Sequence, residues 1–315
     1  MKINPFEYSN DNKRYHTLNY YNKKKFGTKI YKAVLDCQFT CPNKDGSKGI
    51  GGCIFCDSGS GYFTNGHLDL YGQLKCEIDR ITRKYGNSAM ICAYFQANTN
   101  TYAPIEKLKE IYYSVLKNER VCAISIGTRA DCLSHDIIEL LSEINKITDL
   151  TVELGLQSVH ESTIRYINRC CTHEEFLKGF KRLKDAGIRT CLHIINGLPY
   201  ETPKMMLETA SQAAGMNPDA VKIQMLHIIR GTRLAEIYEK SPFNMLTKNE
   251  YIQITIKQLE ILPPETVIER ITGDGDKSKL IAPAWTADKI SVLGSIDKLM
   301  SELDSWQGKF YKNTI

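Results

Sequence analysis

Between residues 31 and 228, six short runs rich in β-branched and aromatic residues alternate with longer amphipathic stretches, and this rhythm leaves few architectures open. The runs are residues 31–36, 89–96, 122–128, 150–157, 190–196 and 220–228. Over 104–118, Ile105, Leu108, Ile111 and Val115 recur at helical spacing; 135–147 and 174–186 read the same way, the last stopping at Gly187. Repeated strand-then-helix units predict parallel strands with right-handed crossovers. Six units fall short of the eight of a closed barrel. The pattern therefore predicts an α/β fold, an open partial (β/α)6 TIM-like barrel rather than a doubly wound sheet. After about Lys240 the rhythm changes to a helix over 250–262, a break at Pro263-Pro264, one more strand over 267–271, a turn at Gly273-Asp274-Gly275 and a helix over 288–303. We expect a barrel with a basic N-terminal segment over 1–240 and a small α+β cap over 241–315.

Strand side chains repeat every two residues, so each run sorts into two faces. One face carries Ser125, Gly127 and Arg129; Glu153, Gly155 and Gln157; Cys191, His193 and Ile195; and Lys222 and Gln224. The other carries Ile124, Ile126, Val152, Leu154, Leu156, Leu192, Ile194, Val221 and Ile223, suited to packing under helices. A polar, glycine-punctuated inner face differs from the branched apolar filling of an inert barrel and predicts a cofactor and substrate cavity.

Eleven cysteines need a place. No apolar run reaches the roughly 18–20 residues that span a bilayer. The first residues lack the apolar core of a signal peptide. A cytoplasmic, membrane-free setting is expected, and there cysteines are buried small hydrophobes or metal ligands. Seven are scattered or adjacent along the chain, and four crowd into Cys37, Cys41, Cys53 and Cys56, directly after the first strand. Cys53-x-x-Cys56 can hold two corners of a metal centre, with Cys41 reaching it across a glycine-rich loop. Three thiolates on an iron–sulfur cubane leave one iron open to a small chelating ligand, whereas electron-transfer clusters are ligated by four. The same four cysteines also suit a four-thiolate structural zinc site in a non-catalytic binding module. A redox-active pair is a third reading. The spacing alone leaves these open.

The loop Thr40-Cys41-Pro42-Asn43-Lys44-Asp45-Gly46 with Gly52-Cys53-Ile54-Phe55-Cys56 resembles the radical S-adenosylmethionine (SAM) proteins of the YhcC/YtqA-like branch, relatives of the Elongator protein 3 and HemN groups. The resemblance continues through residues 94–102, Ile126-Gly127-Thr128-Arg129 with Asp131, residues 153–158, residues 193–199 and Thr272-Gly273-Asp274-Gly275. It implies a 4Fe-4S cluster on Cys41, Cys53 and Cys56, with Cys37 a bystander. It also implies a SAM site lined by Gln157 and Arg169, with Gln96, Arg129 and His193 at barrel positions near the cofactor; Glu153, on the inner face, is expected to orient SAM together with Gln157 and Arg169. Two departures stand out. Relatives tend to read Asn-Arg-Gly-His-Thr and Gly-Leu-Pro-Gly-Glu, where this chain has Asn168-Arg169-Cys170-Cys171-Thr172 and Gly197-Leu198-Pro199-Tyr200-Glu201.

The implied chemistry is reductive cleavage of SAM to a 5′-deoxyadenosyl radical that takes a hydrogen from substrate, with an electron donor such as flavodoxin or ferredoxin. For substrate, the resemblance implies tRNA, with 5-carboxymethylaminomethyluridine at the wobble position converted to 5-aminomethyluridine. A small molecule or peptide is the alternative. Net charge is +5, and Lys23, Lys24 and Lys25 stand among Tyr20, Tyr21, Phe26 and Tyr31. Such a stretch can meet RNA phosphates and bases, or be a solvated face over aromatics packed on the barrel floor.

Overall fold

The computed structural model describes residues 4–57 and 64–312. Helix α1 (Leu18–Phe26) leads into β1 (Ile30–Leu35), followed by α2 (Leu70–Tyr85), β2 (Met90–Phe95), α3 (Ile105–Leu116) and β3 (Val121–Thr128). Then come α4 (His135–Asn145), β4 (Asp149–Gln157), α5 (Glu161–Tyr166), α6 (His173–Asp185), β5 (Arg189–Asn196), α7 (Pro203–Gly215) and β6 (Ala220–Met225). The remainder is β7 (Ile228–Ile229), α8 (Arg233–Lys240), α9 (Lys248–Ile261), β8 (Val267–Arg270), β9 (Leu280–Ala282) and α10 (Lys289–Glu302). All six strands expected from the alternation form. The last is shorter than its run, because the chain turns after Met225 and β7 pairs antiparallel with β9 in a separate ribbon.

The main sheet has seven strands in the order β1-β2-β3-β4-β5-β6-β8, every neighbouring pair parallel. The seventh strand comes from beyond Lys240: β8 pairs with β6, and α9 packs beside α7. The segment expected as a cap thus also supplies the crossover helix α9 and the seventh strand of the barrel.

The sheet curls. Adjacent strands stand about 4.8 Å apart, so in a flat sheet the two edges would be roughly 29 Å from each other. Yet Lys32 on edge strand β1 reaches Glu269 on edge strand β8, Nζ to Oε2, at 3.0 Å. Helix α1 fills the open seam, packing on both β1 and β8.

The two faces separate as the alternation predicts. Ile124, Ile126, Val152, Leu154, Leu156, Leu192, Ile194, Val221 and Ile223 join one core with Leu108, Leu140, Phe176 and Ala210 of the outer helices. At about 25 cal/mol per Å2 of apolar surface removed from water, each such side chain contributes roughly 1.5–3 kcal/mol.

Lys23, Lys24 and Lys25 are exposed on α1, which closes the floor of the barrel. Leu18 and Tyr21 pack there against Cys191, Ala220 and Val267, and Lys25 pairs with Asp149 at the start of β4. The Tyr21 ring covers Arg189 at 4.5 Å, and Tyr31 stacks on Tyr85 at 4.0 Å. Because the chain enters the sheet at the N-terminal end of β1, these lysines lie at the opposite end from the strand C-termini. Among the described residues no helix is long and apolar enough to cross a membrane.

Candidate functional site

A cavity of about 570 Å3 opens at the C-terminal ends of the strands, a volume suited to a ligand of cofactor size. Gln96, Gln157 and His193 line it, with Cys56, Lys222 and His227.

Beneath it lies a polar and charged layer drawn from all seven strands of the main sheet. Glu153 Oε1 accepts from Ser125 Oγ at 2.6 Å and Lys32 Nζ at 3.1 Å. Its Oε2 accepts from His193 Nε2 at 2.8 Å, from Tyr94 Oη at 2.9 Å and from Lys222 Nζ. Glu269 completes the layer, 3.0 Å from Lys32 and 3.6 Å from Arg189. Burial by itself would raise the Glu153 carboxyl; the Lys222 and Lys32 ammoniums overcome it and hold the group well below the usual carboxylate range. Every lone pair of Glu153 is taken by protein donors, so it acts on the cavity through Tyr94, His193 and Lys222. Burial, then Lys222, pushes the His193 imidazole down, leaving it neutral. With Nε2–H donated to Glu153, His193 Nδ1 accepts from Gln224 Nε2 at 3.4 Å.

At the cavity rim, β4 ends in a register shift between Gly155 and Gln157, and Gln157 takes a left-handed φ of 62°. Its side chain folds back over Gly155, where a Cβ would stand 2.6 Å from Gln157 Nε2. The Gln157 Oε1 is buried and has no hydrogen-bond partner among the described residues. A stranded acceptor of this kind is unfavourable unless something donates to it.

Arg129 and Arg169 lie behind this wall. Arg129 grips both Asp131 oxygens, at 2.9 and 2.8 Å, and donates to the carbonyls of Arg169 and Cys170. Arg169, 4% exposed, gives its donors to the carbonyls of Leu156, Ser158 and Cys171. It therefore ties the end of β4, where Gln157 sits, to the turn before α6.

The cysteine loop stands over the same mouth. Ile54 N–H donates to Ile167 O at 3.0 Å and Leu234 N–H to Ile54 O at 2.8 Å, clasping the loop between α5 and α8. Cys56 N–H closes a turn onto Cys53 O at 2.9 Å, and Asn43 Nδ2 stands 3.7 Å from Cys53 Sγ. Burial pushes the Cys53 thiol up to about 12, and Cys56 and Cys41 add to the rise. Burial also raises Cys56, with Cys41 adding and the Lys44 ammonium opposing. The three sulfurs thus share one neighbourhood. Cys37 packs elsewhere, against the main core beside Tyr112, and burial raises its thiol to about 12. Among the described residues no group of three or more His, Cys, Asp or Glu closes around a single ion.

Two cavity-side groups escaped the sequence reading. Lys44 bears on Cys56 and donates to Asn98 Oδ1 at 2.7 Å. His227 lies in the Gly273-Asp274-Gly275 turn, where a Cβ on Gly273 would stand 2.4 Å from its Cε1. That glycine pair is the available signal: the sequence marks it as a turn and as part of the resemblance, but not as the seat of a histidine.

A Radical SAM superfamily model matches residues 45–213, which hold Cys53, Cys56, Gln157 and Arg169; Cys41 precedes the matched span. A Radical_SAM C-terminal domain model matches residues 218–302. The chain is 46% identical to uncharacterized protein YtqA of Bacillus subtilis, over 99% of this chain and 97% of that one. It is 35% identical to uncharacterized protein MJ0486 of Methanocaldococcus jannaschii, over 93% and 91% respectively. A tRNA uridine(34) acetyltransferase of the same archaeon is 30% identical over 49% of this chain and 29% of its own length. Among solved structures, the archaeal Elp3 of Methanocaldococcus infernus superposes with a TM-score of 0.68 at 20% identity, over 88% of this chain and 64% of that one.

Proposed function

This chain belongs to the radical SAM superfamily, whose members use a 4Fe-4S cluster and SAM, and we propose that it modifies the wobble uridine of tRNA. In this reading Cys41, Cys53 and Cys56 hold the cluster and Cys37 does not. When bound, cluster and SAM supply reductive cleavage of SAM and removal of a hydrogen atom from substrate. An electron comes from a small donor such as flavodoxin or ferredoxin.

The observation that carries the cofactor reading is one place with three features: a trio of sulfurs, a cavity of about 570 Å3, and the buried, unpartnered Gln157 Oε1 on its wall. The donor chemistry fits. Buried thiols that resist ionisation alone become thiolates against a cationic cluster, releasing protons as they bind it. Gln157 and Gln96 are the cavity-facing groups for SAM. Glu153 holds Tyr94, Lys222 and His193 in fixed protonation and orientation beneath it. Arg169 and Arg129 position Gln157 and the turn before α6 without reaching the cavity themselves.

The tRNA part is supported by the partial similarity to a tRNA uridine(34) acetyltransferase. The N-terminal lysines no longer support it as an active-site contact, since they cover the floor. The proposed reaction converts 5-carboxymethylaminomethyluridine, SAM and water to 5-aminomethyluridine, glyoxylate, methionine and 5′-deoxyadenosine: the carboxymethyl carbon leaves as glyoxylate after losing two electrons, and SAM takes both up. The test is anaerobic reconstitution with iron, sulfide and SAM, followed by nucleoside mass spectrometry of tRNA treated with the reduced protein. Loss of the carboxymethyl group together with 5′-deoxyadenosine formation is expected. Unchanged nucleoside beside brisk 5′-deoxyadenosine formation on a small molecule or peptide would retire tRNA and leave the cofactor reading intact.

A further inference from the structure

Tyr200, in the loop after β5, has a φ of 67°, a left-handed conformation that bulky residues seldom adopt. Its side chain is 71% exposed, so little burial offsets that conformation. The ring meets Tyr166 edge-on at 5.0 Å and Phe243 at 6.4 Å, and Phe243 meets Tyr238 edge-on at 5.2 Å. The four rings come from separate places in the chain: the end of α5, the Tyr200 loop, the end of α8 and the segment after it.

The position of this face matters. Tyr166, Tyr238 and Phe243 pack on an apolar cluster that contains Ile54 of the cysteine loop and Ile195 and Leu226 of the cavity wall. Ile167, next to Tyr166, and Leu234, at the start of α8, are the residues that clasp Ile54. The rings therefore stand on the rim of the cavity. Beside them, Arg165 adjoins Tyr166 and Arg233 adjoins Leu234; both are exposed and form no ion pair among the described residues. The exposed Tyr200 ring, backed by three half-buried rings and with exposed guanidiniums on the same two helices, matches an unstacked base and its phosphates, the recognition chemistry of single-stranded RNA.

We propose that the face formed by Tyr166, Tyr200, Tyr238 and Phe243 is a stacking platform for a single-stranded RNA loop. Tyr200 stacks a base flanking the one that enters the cavity, and Arg165 and Arg233 meet the backbone. A base can reach a buried reaction centre only when splayed from its neighbours, and a ring on the rim holds the neighbour while that happens. The proposal rests on the RNA reading above and places the RNA at the mouth rather than on the floor lysines.

The test is a binding titration of the full chain with a fluorescein-labelled RNA stem-loop of anticodon-arm size, across a salt series. Base–aromatic stacking is worth about 1–3 kcal/mol per base, so Tyr200→Gly should weaken binding roughly 5- to 150-fold. Glycine suits the left-handed backbone, so this variant should keep the wild-type circular dichroism spectrum and melting temperature. Tyr200→Phe should bind as wild type, because the ring and not the hydroxyl stacks. Phe243→Ala is an independent second probe and should also weaken binding. A double Arg165→Gln, Arg233→Gln variant should flatten the salt dependence by about 1.4 in log–log slope, at roughly 0.7 per phosphate lost. Wild-type affinity in Tyr200→Gly and Phe243→Ala, with an unchanged slope in the double variant, would overturn the platform and leave the RNA reading standing. Absence of salt-dependent binding by the wild-type chain, to the stem-loop and to bulk tRNA alike, would overturn both.

Discussion

Cys37 and Cys41 stand four positions apart, yet one packs beside Tyr112 in the core and the other joins Cys53 and Cys56 at the mouth. Spacing could nominate the four cysteines but not divide them, because the loop's path decides where each sulfur points. Replacing Cys41, Cys53 or Cys56 with alanine should abolish the brown colour, the bound iron and sulfide, and 5′-deoxyadenosine formation. Cys37→Ala should retain all three, and an iron-free Cys37→Ala protein beside an iron-loaded Cys41→Ala protein would reverse the assignment. Gln157 follows a related logic: alternation put it on the inner face, but only the turned-back side chain shows its unpartnered Oε1. Gln157→Ala should weaken SAM binding by about 1–3 kcal/mol with iron content unchanged, as isothermal titration would read. Glu153 was expected to orient SAM. Alternation placed it on the inner face and could not show that five protein donors already surround it.

Between α5 and α6 the chain makes a short turn whose geometry depends on Arg169. Its fork donates at 2.9 and 2.8 Å to Cys171 O from Nε and one terminal nitrogen, while the other terminal nitrogen reaches Leu156 O. The turn then enters α6 through a capping box of Thr172 and Glu175, itself worth about 1 kcal/mol. Lysine carries the charge but not the planar fork, so it cannot serve both carbonyls. Arg169→Lys should therefore lose about 2–4 kcal/mol of stability, read as a lower urea midpoint, from carbonyls left unpaired in the interior. SAM affinity should fall with it, because Gln157 loses its support; wild-type stability and affinity in Arg169→Lys would show that the brace is dispensable. Of the three residues that depart from the relatives' pattern, the two that stand in place of glycine, Cys170 and Tyr200, adopt left-handed backbone, with φ of 50° and 67°. A sequence names such residues, but only the loop conformation shows that each occupies a position that favours glycine.

Over the whole molecule, burial depresses the histidines His16, His193 and His227, the last to about 4. In the unfolded chain histidine takes up its proton near 6.5. Between these values the unfolded state binds more protons, so stability is full above about 6.5 and declines as pH falls toward 4. His227 alone should account for about 2 kcal/mol between pH ~6.5 and ~5, at 1.36 kcal/mol per pKa unit. Urea midpoints of the iron-free chain should drop over that range, and His227→Gln should drop less; parallel declines would remove His227 as a contributor. The parallel α/β order, the outward apolar face and the polar inner face were legible in the sequence, because strand and helix periodicities are local and each run declares its own two sides. The seventh strand was legible only as a strand, since four residues after a Pro-Pro break do not say which edge they join. Sheet curl, the separation of Cys37 from Cys41, Cys53 and Cys56, the filled coordination of Glu153 and the placing of the lysines on the floor were decided by tertiary structure. Each depends on residues far apart in the chain, as when Lys32 of the first strand meets Glu269 of the last at 3.0 Å, and no local period encodes such a meeting.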